Sequence, residues 1–287
     1  MAGGITSVGN QLMVNHISRG TAYSAPTTIA AGLTTAQTTI SQTELTLGGM
    51  TNYSRAYAGQ LLTLANWSGA VLSGNYQQST YNTGTIDFNT ASGGTATVTG
   101  VVLYDATTAG NALFWETLGT AISSTTGTHI TIAPATLVVG ITIMGQGGGG
   151  VGSGLSTTYA QGVINHLTGK AALAQPAALA LSLCTAVCTA TTLGTETTYT
   201  GYAATRLTPG VTAASGNVSP SIIYPSATQT FGSCTAAPGT PIIAFGLMDN
   251  ATVGSGVLIA GGLITSTTMS VGLTPTISTS QPFISMS

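Results

Sequence analysis

Charge is what this sequence has least of. Four basic and six acidic side chains make up 3% of 287 residues, where an ordinary soluble domain carries about 25%. They are Arg19, Arg55, Lys170 and Arg206 against Glu44, Asp87, Asp105, Glu116, Glu196 and Asp249, for a net charge of −2. Binding nucleic acid needs clustered Lys and Arg to neutralise phosphates, so that partner class is excluded. No paired carboxylates stand at a spacing useful for hydrolysis. Long apolar runs are lacking too. The best stretch, 171–190, is broken by Gln175, Pro176, Ser182, Thr185 and Thr189, short of the roughly 20 apolar residues of a membrane span. No membrane partner is expected, and the N-terminus has neither the basic region nor the apolar core of a secretory signal.

What is present is a duplication. Asn15-His16-Ile17 recurs as Asn165-His166-Leu167, Pro26 as Pro176, and Leu33-Thr34-Thr35-Ala36 as Leu183-Cys184-Thr185-Ala186, all at a spacing of 150. Tyr53 and Arg55 match Tyr202 and Arg206 with two residues inserted, and Leu103-Tyr104-Asp105 matches Leu247-Met248-Asp249. Ile86-Asp87-Phe88 aligns with Ile222-Ile223-Tyr224. Order is kept while loop lengths vary, as in tandem copies of one unit. The copies span 1–144 and 155–287, joined by a Gly-rich linker at 145–154. That linker contains a formal G-x-G-x-x-G from Gly145 to Gly150. It lacks the acidic residue some 20 positions on that a dinucleotide site requires, and no cofactor is expected.

Each copy opens with a helical pattern. Ile5, Val8, Leu12 and Met13/Ile17 form one stripe and Leu155, Tyr159, Val163 and Leu167 the other, with Gly20 and Gly169 as stops. Thr, Val, Ile and Tyr then alternate with Gly, Asn and Asp turns, the language of short strands. In the first copy strands are expected at 27–33, 56–64, 84–88, 95–104, 112–118, 128–132 and 137–143. In the second they are expected at 178–183, 203–211, 221–224, 242–248, 257–264, 267–273 and 276–284. The expected fold is all-β: two tandem β-sandwich, jelly-roll-like domains, each opened by a short helix.

Chemistry-bearing residues are few. His16 and His166, at equivalent helix ends, suit donation to loop carbonyls, and His129 has no acidic neighbour in sequence. Asp105 and Asp249 suit Asx-type turns closing hairpins. No G-x-S-x-G nucleophile elbow occurs, and no enzyme activity or metal site is expected. Cys184, Cys188 and Cys234 all lie in the second copy. Positions four apart on one strand are about 13 Å apart, too far for a disulfide. Two readings stand. Cys188, if past its strand end, meets Cys234 in a disulfide that staples the copy, or all three are buried free thiols, as in a reducing cytosol. The stretch 66–82, with Trp67, Tyr76, Gln77, Gln78 and Tyr81, reads either as a recognition loop or as a long hairpin whose aromatics cover the sandwich edge.

The Asn-His helix end, the Pro that follows and the Tyr…Arg pair resemble a family of tailed-bacteriophage structural proteins labelled tail-fibre or minor virion proteins. Its pattern reads L-L-N-H-L-L-G-G-x-x-Y-x-x-P, then G-Y-x-R. Asn15, His16, Gly20, Tyr23, Pro26, Tyr53 and Arg55 match in the first copy; Asn165, His166, Gly169, Pro176, Gly201, Tyr202 and Arg206 match in the second. Asn52 stands where the pattern has Gly, and the second copy has no Tyr at the Tyr23 position. The resemblance implies a virion component assembled in the host cytoplasm. Joined to a weakly charged surface suited to permanent interfaces, it leads to the expectation of a capsid decoration or cement protein. Its partners would be the major capsid protein, tail proteins or copies of itself. The alternative is a tail-fibre adhesin that touches a host glycan through 66–82; a bacterial surface adhesin is disfavoured by the missing signal.

Overall fold

The computed structural model describes residues 3–18, 20–38, 41–55, 61–62, 66–73, 77–142, 154–203, 205–212, 214, 221–236, 240–281 and 283–286. The first repeat runs β1 (Gly3–Ile5), α1 (Ser7–Ser18), β2 (Ile29–Gln37), β3 (Gln42–Glu44), β4 (Leu61–Leu62), β5 (Val71–Ser73), β6 (Gln77–Tyr81), β7 (Ile86–Asp87), β8 (Ala96–Tyr104), β9 (Ala112–Ser124), β10 (Thr131–Ile132) and β11 (Val138–Thr142). The second runs β12 (Gly154–Leu155), α2 (Thr157–Leu167), β13 (Ala180–Cys184), β14 (Ser221–Ile223), β15 (Gln229–Thr230), β16 (Pro241–Met248), β17 (Leu258–Thr268), β18 (Thr276–Ile277) and β19 (Ile284–Met286). Arg19, Tyr76 and nearly all of the 145–154 linker fall outside the described residues, as does most of the expected strand at 56–64. The fold is all-β in two tandem units, and neither helix is long and apolar enough to cross a membrane.

Both repeats build the same antiparallel main sheet. The order β1-β9-β8-β2 of the first returns as β12-β17-β16-β13 in the second; β3 and β4 extend the first, and the single bridges Cys184–Glu196 and Leu181–Leu207 stand at the corresponding places in the second. The central hairpins match down to their irregularities. Register shifts at Val98/Gly100 and Leu103/Tyr104 recur at Ile242/Ala244 and Leu247/Met248. Such bulges re-aim a strand, so both hairpins bend alike. Outside the main sheet lie two small sheets per repeat: β11-β6-β5 and β10-β7 in the first, β14-β19 and β15-β18 in the second.

This pairing corrects one alignment. Phe88 N–H donates to Ile130 O and Phe231 N–H to Pro275 O, so Ile86-Asp87-Phe88 corresponds to Gln229-Thr230-Phe231. Ile222 and Ile223 correspond instead to β6. The cross-strand bond is decisive where side-chain similarity alone misled. Three expected strands also differ: the described residues of 203–211 make only isolated bridges, 267–273 is the end of β17 followed by a turn, and 276–284 holds β18 at its start and only the first residue of β19 at its end.

The repeats are not separate bodies. α1 packs against its own β9 and also against β14 and β19 of the second repeat, while α2 packs against β17 and against β6 and β11 of the first. The buried side chains of both form one connected core, from Met13, Phe88 and Phe114 to Ile164, Tyr199, Phe245 and Phe283. A smaller cluster, with Cys184, Cys188, Ala244 and Met248, covers the other face of the second main sheet.

The Gly of the Gly-Tyr motif has a backbone reason. Gly201 has φ +109, and an added Cβ would lie 1.9 Å from the Ser233 carbonyl oxygen. Asn52, at the equivalent place, has φ 73, within the left-handed region that Asn tolerates. Gly201→Ala will therefore lower unfolding free energy by at least the roughly 1–3 kcal/mol of such backbone strain, read as a fall in the urea midpoint.

Candidate functional site

Each repeat is locked around one arginine. Arg55 meets Glu44 with both ends of its fork, Nε to Oε1 at 2.6 Å and Nη2 to Oε2 at 2.5 Å. Its Nη1 donates to the carbonyls of Ala106 and Ala109, and the guanidinium lies 3.4 Å over the Tyr104 ring. Tyr53 OH donates to Glu44 and accepts from the Leu33 N–H of β2. Arg206 repeats this on Glu196 at 2.9 and 2.8 Å and holds three carbonyls, of Asn250, Thr252 and Ser255. Tyr202 bridges Glu196 and the Leu183 N–H. The two residues inserted before Arg206 lengthen the chain without moving the guanidinium off its partners. Burial first, then the adjacent Glu44 and Glu196, hold the Tyr53 and Tyr202 hydroxyls well above their ordinary pKa.

The two loops that follow the helices meet at a second feature. His16 Nδ1 accepts from Tyr23 N–H of its own loop at 3.1 Å, and Nε2 reaches Leu173 O of the other repeat at 2.8 Å. His166 does the same in reverse: Nδ1 accepts from Leu173 N–H at 2.9 Å and Nε2 reaches Tyr23 O at 2.8 Å. An accepting Nδ1 carries no hydrogen, so both rings are Nε2–H donors. Their centroids lie 4.9 Å apart. Both histidines do bond loop carbonyls, as their position suggested, but across the repeats.

Asp105 and Asp249 close their hairpins from the carboxylate, by accepting Asn111 N–H and Val257 N–H, rather than through an Asx turn. The second oxygen of each receives a tyrosine from a different place. Tyr23 serves Asp105, and Tyr159 on α2 serves Asp249. The Tyr missing from the second loop is thus replaced from the helix. His129, without an acidic neighbour in sequence, meets Asp87 across the β7–β10 ribbon at 2.5 Å.

The stretch 66–82 is built into the fold. Trp67 is 2% exposed and bridges to Asn82, and its carbonyl receives Lys170 Nζ. Gln77 and Gln78 lie in β6, paired with Thr142 and Ile141 of β11. Trp67 is therefore core, while Tyr81, paired with Val138, stands exposed. The Cys188–Cys234 disulfide is corrected: all three cysteines are free and buried. Cys188 lies with Cys184 on one face of the second main sheet and Cys234 belongs to the main core on the other, so the sheet stands between them. Cys188 Sγ bonds Phe245 O, and Cys234 Sγ bonds Ala236 O.

A cleft opens at the same place in each repeat, where the long hairpin overhangs the two-stranded ribbon. The first, about 310 Å³, lies between Leu118, Thr131, Ile132 and Thr136 with Glu116 in its wall. The second, about 350 Å³, lies between Ile264, Thr276, Ile277 and Gln281. By strand register Gly262 takes the place of Glu116 there. Burial pushes the Glu116 carboxyl up to about 7, against the opposing bond from Val138 N–H to Oε2. Sequence reading passed over Glu116; an acid within an alternating apolar strand was the available signal. Among the described residues no group of three or more His, Cys, Asp or Glu side chains converges as a metal site would require.

Residues 4–140 and 154–284 each match the family model described as podophage GP4 fiber I protein gp80. The chain belongs to the podophage GP4 fiber I protein gp80 family. No curated protein matches it. The family makes it a virion structural protein that contacts other virion components, and the two matched segments are the two structural repeats. It favours the fibre reading over capsid decoration. Of the motif residues the two repeats share, the His is that of the histidine joint, and the Tyr and Arg are those of the arginine locks.

Two predictions follow from these contacts. Arg206 is 3% exposed, so Arg206→Ala strands a buried carboxylate and will cost about 3–5 kcal/mol. Arg206→Lys will recover only part of that loss in urea unfolding, because an ammonium cannot serve the carboxylate and the loop carbonyls as a fork does. The second concerns pH. Folded Glu116 keeps its proton to about 7 while an unfolded Glu releases it near 4.5, so stability falls as pH rises through that window. His166 acts oppositely: burial and the neighbouring His16 lower its pKa, so its contribution is complete above about pH 6.5 and is lost as pH falls. Glu116→Gln removes only the first slope. Its stability relative to the parent chain will rise steadily from pH 4.5 to about 7, and a difference that shrinks over that range contradicts the assignment.

Proposed function

We propose that the chain is a non-enzymatic structural subunit of a tail fibre, a rigid two-repeat block that assembles through neutral surfaces. The family match supports the fibre reading. One structural observation supports the assembly role: every charged side chain among the described residues has an internal partner. Arg55 and Arg206 hold Glu44 and Glu196, Asp87 meets His129, and Lys170 reaches the Trp67 carbonyl. Glu116, Asp105 and Asp249 accept backbone N–H groups. What faces outward is mainly Thr, Ser, Gly and Ala, with isolated apolar residues such as Leu47 and Val271. Such a surface is weakly hydrated and loses little on burial, which suits permanent contact with copies of itself and with other tail proteins. Contact with a host glycan is the narrower possibility, centred on the exposed Tyr81.

Imaging of particles from a deletion strain tests this. Fibre density will be missing from the tail while heads remain intact and keep their DNA on heating. The purified chain will release no fragments from host envelope polysaccharide. Density missing from the head surface, with heat-sensitive capsids, rejects the fibre role. Intact fibres with lost adsorption reject the structural role in favour of host contact.

A further inference from the structure

We propose that the two repeats form a homodimer made covalent, held by an isologous interface that stands without the connecting segment. The surface each repeat presents to the other therefore fits a second fibre-family repeat as its partner.

The contacts obey twofold pairing. In an isologous interface, if residue i of one unit touches j of the other, then j of the first touches i of the second. His16 reaches Leu173 O while His166 reaches Tyr23 O, and each pair of equivalents is 150 residues apart. The helix side chains agree: Gln11 Nε2 donates to Ala214 O at 3.3 Å, and Gln161 Nε2, again 150 residues on, donates to Ala70 O at 3.0 Å. At the level of elements, α1 lies on β14 and β19 while α2 lies on their counterparts β6 and β11. The rings of His16 and His166, 4.9 Å apart, mark where the axis passes. A flexible tether between two independent domains gives no reason for such reciprocity. An interface that arose between identical units and was later tied does.

None of these contacts uses residues 143–153. The apolar side chains Met13, Val14 and Ile17 of α1 and Val163, Ile164 and Leu167 of α2 belong to the shared core. Burial there acts whether or not the halves are joined; the tether only raises their effective concentration. Among the described residues a few contacts occur once only: Lys170 Nζ to Trp67 O, Gln175 Nε2 to His16 O, and Ala214 N–H to Asn15 Oδ1. These favour the unlike pairing over two first repeats or two second repeats.

The experiment uses the full chain with a protease site placed within 145–153. After cutting, the two fragments will co-elute at the size of the intact chain. Their melting temperature, independent of protein concentration before cutting, will rise with concentration afterwards. Fragments that separate or precipitate at micromolar concentration overturn the proposal. A second arm removes only the arms that cross the joint: in His16→Asn with His166→Asn, the amide oxygen can still accept from its own loop but cannot reach the other repeat. The cut variant will dissociate at about tenfold higher concentration or more than the cut parent chain. Equal dissociation of the two overturns the assignment of the interface.

Discussion

Each helix lies between its own main sheet and the small sheet of the other repeat, and this exchange sets the terms for the rest of the molecule. A helix buries apolar side chains at about 1.5–3 kcal/mol apiece for residues the size of Val or Ile. Here α1 and α2 have apolar surface on two sides, and for each the opposite repeat supplies the second cover. Once the helices are placed, the loops after them are brought together. Their backbone groups at Tyr23 and Leu173 then need partners away from solvent, and His16 and His166 supply them in reciprocal fashion. One core results where a two-bead chain was expected.

Against that shared core the arginine locks are local. Each fastens β2 or β13, through its tyrosine, to the hairpin tip carried by β8–β9 or β16–β17. A guanidinium suits this task because it offers five donors in a fixed plane and stays charged when buried. Spending the few ions internally leaves an outer surface with little electrostatic protection against association. For a free monomer that is a hazard; in the proposed fibre role it becomes a means of assembly. Low overall charge and a fixed interior are two aspects of one distribution.

Much was legible beforehand. The tandem repeat, both helices with their glycine stops, the β character and the fibre-like family resemblance follow from local spacing, and most strands lie where alternation placed them. Other readings failed or stayed open for identifiable reasons. Ile222-Ile223-Tyr224 resembles Ile86-Asp87-Phe88 in side chains but not in strand partner, and only hydrogen bonding distinguishes them. For 66–82 the sequence left two readings, recognition loop or aromatics covering the sandwich, and the burial of Trp67 beneath the second repeat's Lys170 favours the second for that residue. For the cysteines the sequence left a Cys188–Cys234 disulfide and three buried free thiols both open, because it does not say which face of a sheet a side chain takes; the structure has the free thiols. Tyr159 read as one more apolar helix position, although its hydroxyl does for Asp249 what Tyr23 does for Asp105.

By itself the sequence determined the number of units, their secondary structure and the scarcity and matching of charges. Those properties live in composition, in short periodicities and in self-similarity along the chain, none of which depends on which surfaces meet. The tertiary structure decided that the units share one core, that each histidine serves the opposite repeat, and that every ionic group among the described residues has a partner within the chain. These depend on which surfaces meet. A 150-residue spacing shows that two residues are equivalent, but only packing decides whether equivalents lie apart or, as His16 and His166 do, side by side.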